Sequence, residues 1–207
     1  MKEKELIVLA QRIRALSQNG LTYSVSEYDT ERYEELLHIS DKIVSSVTGL
    51  DENSINSSYI LSKEYVTPKV DIRAVVFNPQ DEILLVKEKA DGLWSLPGGW
   101  ADVGYSPKEI AQKEVREETG LEVHPVRLLS VADMSKHPHP PVPFYVYKIF
   151  ILCEITGGRF TQTFDILGKG FFPPAHLPPL SLERVLPEQI ATLYEYYKKP
   201  PKDVYLD

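Results

Sequence analysis

The 207-residue chain has a single cysteine, Cys153, so no intramolecular disulfide can form. Cys153 sits in an apolar run and is expected to be a buried, inert thiol, and a chain without a disulfide framework fits a reducing cytoplasm. Nor is there a long hydrophobic run: no stretch approaches the ~20 consecutive apolar residues that span a bilayer. The opening MKEKELIVLAQRIRAL scatters charges through its apolar residues instead of separating a basic region, an apolar core and a cleavage site. Export and membrane insertion are therefore not expected. Positive charge is also in deficit, with 23 Lys and Arg against 30 Asp and Glu, a formal charge of −7. Such a field repels long polyanions and disfavours a broad nucleic-acid interface, although a small phosphorylated compound can still enter where a cation screens it.

What is present is enough apolar material for a real core, 43% of residues. Leu6, Ile7, Leu9, Ala10, Ile13 and Leu16 recur at helical spacing, and Asn19-Gly20 is a suitable stop. A second helix is expected from a cap at Ser26 or Thr30, with Tyr33, Leu36, Leu37, Ile39, Ile43, Val44 and Val47 as its apolar stripe and Gly49 as its end. Two helices bury little surface by themselves. This unit, residues 1–58, is thus expected to be a small helical domain that packs on the rest or forms a homodimer.

Residues 59–207 have a different character. Val70–Phe77 and Glu82–Lys87 are β-branched or apolar runs joined by the turn composition Asn78-Pro79-Gln80-Asp81, which predicts a hairpin. Leu121–Val131 and Phe144–Ile155 are further strands, and Pro187–Tyr197 is a closing helix. Strands mixed with helices predict an α/β sandwich with a mixed sheet.

Between the hairpin and these later strands lies an acidic helix. Ser106 can cap it, Pro107 suits its first turn, Glu109 completes a capping box and Gly120 stops it. Glu114, Glu117 and Glu118 fall within an arc of about 100°, and Ile110 and Ala111 point into or beside the same arc. Three carboxylates so close repel one another, which calls for a cation, and hard oxygen ligands suit Mg²⁺ or Mn²⁺. A solvated acidic face is the ordinary alternative, but the preceding Leu96-Pro97-Gly98-Gly99 lets backbone approach a ligand closely.

The pattern Gly99-x5-Tyr105-x7-Lys113-Glu114-Val115-x-Glu117-Glu118-x-Gly120-Leu121 resembles the Nudix box, G-x5-E-x7-R-E-U-x-E-E-x-G-U. The similarity extends over roughly residues 68–200, and the helical segment before it resembles the N-terminal domain of a bacterial Nudix subgroup that includes CDP-choline and ADP-ribose pyrophosphatases. The resemblance implies a Nudix-type α/β/α sandwich. It also implies metal-dependent hydrolysis of a nucleoside diphosphate linked to another group, with CDP-choline giving CMP and phosphocholine as the favoured substrate. ADP-ribose and RNA ends are alternatives, and a catalytically weak nucleotide-sensing module is the alternative of another class. Glu114 and Glu118 would hold the metal with the Gly98 carbonyl, and Glu117 would serve a second ion or its water. In several family members the residue matching Glu114 is instead the proposed general base.

Two positions depart from the box. Tyr105 stands where the family has Glu, and Lys113 replaces Arg, keeping the charge but losing the planar fork. Lys113 stays among the expected catalytic residues, and Asp165, in a later loop, is the acid left for a distant base. Outside the box, Trp94, Trp100 and Tyr105 are expected to contact substrate, by stacking on a base or facing a quaternary ammonium. Lys136 and His139, in the proline-rich segment 132–143, are expected to touch phosphate or base. Pairing His137 with His139 as a zinc site is rejected, since no third ligand of suitable spacing accompanies them. Leu177-Pro178-Pro179-Leu180-Ser181-x-x-Arg184 resembles the subgroup's tail and is expected to shape the cleft rim.

Overall fold

The computed structural model describes residues 3–57, 65–102 and 104–207, and its contacts divide the chain into two compact units. The first comprises residues 1–68 with 140–145, the second 69–139 with 146–207. The domain boundary expected between Ser58 and Tyr59 lies outside the described residues.

The first unit contains α1 (Glu3–Tyr23), α2 (Glu27–Thr48) and α3 (Glu52–Ser57). Its apolar core is Ile7, Ala10, Val44 and Ile55. The rest of the buried surface is polar, because Arg14 and Asp41 form an ion pair and Ser40 Oγ donates to the Ala10 carbonyl at 2.8 Å. Two expectations change here. The helix does not stop at Asn19-Gly20: Gly20 lies inside α1 because the Tyr33 ring occupies the space a Cβ would need, 2.4 Å away. Gly49 does end α2, in the left-handed conformation at φ 72°. The buried face of α1 is Ile7, Ala10, Arg14, Ser17 and Gln18, which leaves Leu9 and Leu16 of the apolar stripe 50% and 51% exposed. Gln11 Nε2 donates to the carbonyls of Val142 and Phe144, tying the segment 140–145 to this unit.

The second unit is built from β1 (Lys69–Val76), β2 (Ile83–Glu88), β3 (Trp94–Ser95), β4 (Gly98–Trp100), α4 (Pro107–Thr119), β5 (Leu121–Asp133), β6 (Val146–Gly158), β7 (Ile166–Phe172), α5 (Pro187–Lys198) and β8 (Tyr205–Leu206). One sheet has the order β4-β1-β6-β5-β8 and the other β3-β2-β7. The first is mixed, since β1 runs parallel to β6 and antiparallel to β4. Alternation along β1 explains the layering. Ile72, Ala74 and Val76 join Ile110, Ala111 and Val115 of α4 in one core, whereas Val75 joins Ile190 and Leu193 of α5 in the other. Helices therefore cover both sides, as the α/β/α expectation requires. Cys153 is buried in the α4 core, and burial pushes its thiol up to about 12, which keeps it protonated and unreactive.

The expected hairpin is half right. The turn forms, with Asp81 at φ 62° and the Asn78 carboxamide accepting from the Gln80 and Glu82 N–H groups. The strands it joins do not pair as a ladder. A single bridge, Phe77 to Ile83, links them before β1 and β2 separate into different sheets, where each pairs with strands distant in sequence.

Candidate active site

The acidic helix α4 begins as its sequence dictates. The Glu109 N–H donates to Ser106 Oγ, and the Ser106 N–H donates to Glu109 Oε2 at 2.8 Å, closing the capping box. Gly120 ends it at φ 83°, donating its N–H to the Arg116 carbonyl. Ile110 and Val115 are fully buried, and each contributes about 1.5–3 kcal/mol to docking the helix on the sheet. That docking decides the fate of the acids beside them.

Glu118 is carried inward to the glycine loop, where its Oε2 accepts from the Gly98 N–H at 3.0 Å. Gly98 has φ 147° and faces Arg73 across the β1–β4 ladder, with the Ile72 carbonyl only 2.0 Å from where a Cβ would sit, so glycine is required there. The Glu114 carboxylate lies beside Gly99, 3.4 Å from where a Cβ would sit. Glu117, by contrast, is 53% exposed. Burial, reinforced by the neighbouring Glu88 and Glu114 charges, pushes Glu118 up to about 8, against the pull of Arg73 and the Gly98 N–H. Burial also raises Glu114, assisted by Glu117 and opposed by Lys113. Carboxyl groups that hold protons this tightly lack a positive neighbour strong enough to offset their burial.

Lys113 spans the outer acids. Its Nζ donates to Asp102 Oδ2 at 3.0 Å and lies 3.5 Å from Glu114 and 3.6 Å from Glu117. The Asp102 bond holds its pKa well above the usual lysine range. Behind the glycine loop is a charged group that sequence reasoning missed. Arg73 Nε donates to both Asp71 oxygens at 2.9 and 3.1 Å, its Nη1 donates to the Leu96 carbonyl at 3.0 Å, and Lys148 Nζ donates to Asp71 Oδ2 at 2.6 Å. Burial opposes the Asp71 charge, but the two cations overcome it and hold the carboxyl below its usual range. The available signal was charge at alternate positions of a largely apolar strand, Lys69, Asp71 and Arg73. Glu88 was missed too. It ends β2, accepts from Ser95 Oγ at 3.1 Å and lies 3.6 Å from Arg184 Nε. Arg184 and Ser181 both donate to Asp91, latching the proline-rich tail onto this side.

Several expected substrate contacts have other employment. Trp94 packs edge-on against Phe172, centroids 4.7 Å apart, with its backbone bonded to Pro179 and Ser181, and lies partly buried against the core that α5 covers. His139 is buried, with Nδ1 2.6 Å from the Leu182 carbonyl and Nε2 3.1 Å from Gln189 Nε2, so neither nitrogen is left for a ligand. Trp100 and Tyr105 are exposed beside the glycine loop, and each already faces a lysine ammonium, Lys69 at 5.4 Å and Lys113 at 5.8 Å. Lys136 is exposed on a short 3-10 turn after β5. Asp165 is exposed before β7, where its carbonyl accepts from the Lys89 N–H.

Among the described residues no three acidic or histidine side chains already converge as a ligand set. The chemistry of Glu114 and Glu118 nonetheless fits a divalent cation: both offer hard oxygens, both are partly buried, and both have proton affinities that a positive charge would lower.

Comparison with known proteins agrees with this geometry. Residues 4–58 match a family model described as a UDP-X-like, N-terminal oligomerisation domain, and residues 67–193 match the NUDIX domain. A Bacillus subtilis (strain 168) protein, provisionally named an ADP-ribose pyrophosphatase, is 44% identical over 96% of this chain and 95% of its own. The crystal structure of an ADP-ribose pyrophosphatase from Streptococcus suis is 43% identical, covering 68% of this chain and 100% of that one with a TM-score of 0.62. That of a UDP-X diphosphatase is 32% identical over 100% of both chains with a TM-score of 0.65.

Proposed function

The chain belongs to the Nudix family of hydrolases, and from that premise we propose that it cleaves CDP-choline to CMP and phosphocholine, using Mg²⁺ or Mn²⁺ held by Glu114 and Glu118. The coarser activity, pyrophosphatase action on a nucleoside diphosphate joined to a second group, follows from the family and its relatives. One observation carries the metal assignment: two carboxylates pressed against a glycine loop, both with raised proton affinity.

A bound divalent ion supplies charge neutralisation for the diphosphate and a more acidic water. The chain's own groups do the rest. The Gly98 N–H orients Glu118, Lys113 restrains Glu114 and Glu117, and the second core fixes the strand from which Arg73 and Asp71 project. Glu117, exposed to water, is available for a second ion or its water. Asp165, the acid left for a distant base, lies in a separate exposed loop before β7, whereas Glu114 stands at the glycine loop with the metal acids.

The choline assignment rests on the subgroup resemblance and on the net charge of −7, which attracts a cationic leaving group. Trp100 and Tyr105 support it, since each accepts a lysine ammonium that a quaternary ammonium would replace. ADP-ribose is the second reading, favoured by the names of two relatives. A panel of CDP-choline, ADP-ribose, nucleoside-diphosphate sugars and a short RNA, compared by kcat/KM at one metal concentration, decides between them. CDP-choline is expected to lead. A tenfold preference for ADP-ribose, about 1.4 kcal/mol of transition-state discrimination, reverses the assignment. No turnover of any member with metal present would indicate a sensing module instead.

We also propose that the first unit forms a homodimer. Leu9 and Leu16 are two turns apart on one face of α1 and half exposed, and the matching family model is described as an oligomerisation domain. Light scattering at micromolar concentration should give the mass of two chains, and Leu9→Asp with Leu16→Asp should give that of one. A monomeric wild-type protein, or a doubly substituted protein that stays dimeric, removes this proposal.

A further inference from the structure

Arg73 is only 5% exposed, yet it is not fully paired. Its Nε is committed to Asp71 and its Nη1 to the Leu96 carbonyl, which fixes the guanidinium plane in two directions. Its remaining amino group, Nη2, has no hydrogen-bond partner among the described residues. It is not closed off from solvent, so it faces accessible space. A donor so placed is satisfied by water or by a ligand that accepts from it, and the guanidinium is already held in position for either.

The surroundings say what that acceptor would be. Arg73 stands opposite Gly98 in the β1–β4 ladder, directly behind the loop that holds Glu118, and its charge acts on both Glu118 and Glu114. On the other side, Lys148 is buried beside it, and the charges of Arg73 and Arg184 both act on that lysine. Lys148 is spent on Asp71, and Arg184 on Glu88 and Asp91, so of these cations Arg73, with Nη2 uncommitted next to two acids suited to a divalent ion, is the one placed to meet a polyanion that reaches past the metal.

We propose that Arg73 is a substrate-binding residue whose Nη2 donates to a non-bridging oxygen of the substrate's diphosphate, an anchor separate from the metal. This rests on the diphosphate reading above. Asp71 and Lys148 act through Arg73 as positioning residues: the Asp71 carboxylate fixes the guanidinium by both oxygens, and Lys148 keeps Asp71 ionised.

The test compares two affinities by calorimetry on the full chain, Mn²⁺ alone and methylenediphosphonate added to Mn²⁺-saturated protein. Arg73→Lys is the first variant, because a lysine can reach Asp71 or the phosphate but lacks the fork to do both. Methylenediphosphonate is expected to bind about tenfold or more weakly, the loss of a charge-assisted hydrogen bond, while Mn²⁺ affinity changes by less than about threefold. If Arg73→Lys does not fold, Arg73→Gln, which keeps an N–H for Asp71 beside Lys148, reads the same two affinities. A variant that weakens Mn²⁺ and leaves the diphosphonate affinity unchanged overturns the proposal, because Arg73 would then act only on Glu118. Arg73-dependent diphosphonate binding in a protein that hydrolyses no nucleoside diphosphate derivative would sink the enzymatic reading and leave the anchor standing.

Discussion

Glu118→Gln should lower kcat at least about a hundredfold while the protein remains folded. Changing a group that merely supports a metal ligand costs about 10–100-fold, so removing the charge of a carboxylate placed to hold the ion should reach or exceed the upper end. The glutamine Oε1 can still accept from the Gly98 N–H, so the loop contact at 3.0 Å survives and the loss is one of charge. Glu114→Gln should behave alike, because that carboxylate lies against Gly99 of the same loop. Glu109→Gln is the control. Glu109 shares the helix but is spent on the Ser106 cap, so its substitution should leave kcat within about twofold and lower Tm slightly. Steady-state kinetics with circular dichroism on the three variants checks the set. Equal kinetic losses in all three would dissolve the distinction between the capping acid and the metal acids.

Chelation should abolish turnover, and the metal's effect on stability should grow with pH. Glu118 has a folded-state pKa of about 8 without metal, against roughly 4.3 in an unfolded chain. A carboxyl with a raised folded pKa contributes stability that is fully present below the unfolded value and is lost as pH rises toward the folded one. The metal-free protein should therefore weaken across that window, while a bound cation, which favours the ionised form, restores what is lost. The rise in Tm on adding Mn²⁺ is thus expected to be larger at about pH 8 than at about pH 6, where the ion must first displace a proton. Thermal melts in EDTA and in saturating Mn²⁺ at both values measure it. An identical shift at the two pH values, or full activity after exhaustive chelation, contradicts the assignment of Glu118 to the metal.

The parts of the molecule that were legible from residue order are those whose physics is local. The capping box at Ser106 and Glu109, the stop at Gly120 and the turn at Asn78–Asp81 each depend on atoms a few residues apart. The same holds for the acid spacing on α4, since helical periodicity alone puts Glu114 and Glu118 on the apolar side with Ile110 and Ala111. The exposed position of Glu117 was not legible, because the packing of the helix against β1 sets how far round its surface water reaches.

Misread residues share a different property: their partners are far away along the chain. Trp94 looked like a substrate contact because its packing partner, Phe172, belongs to a later strand. His139 is expected from the sequence to touch phosphate or base, but Leu182 and Gln189, more than forty positions on, engage both its ring nitrogens. Gly20 resembled a helix stop, and only the Tyr33 ring lying against it shows why glycine is needed inside the helix.

By itself the order of residues determined the helix that carries the acids, the glycine loop before it and therefore the class of chemistry, because those features occupy neighbouring positions and obey local geometry. Tertiary structure alone decided which charges surround them. Asp71 and Lys148 are separated by 77 positions and meet only because β1 and β6 pair in parallel with those two residues in register. Arg73 meets the glycine loop only because β4 folds back on β1 opposite it. Strand register is set by the burial of entire apolar faces across the two cores, and a slip of one residue would turn Asp71 and Arg73 to the side that α4 covers.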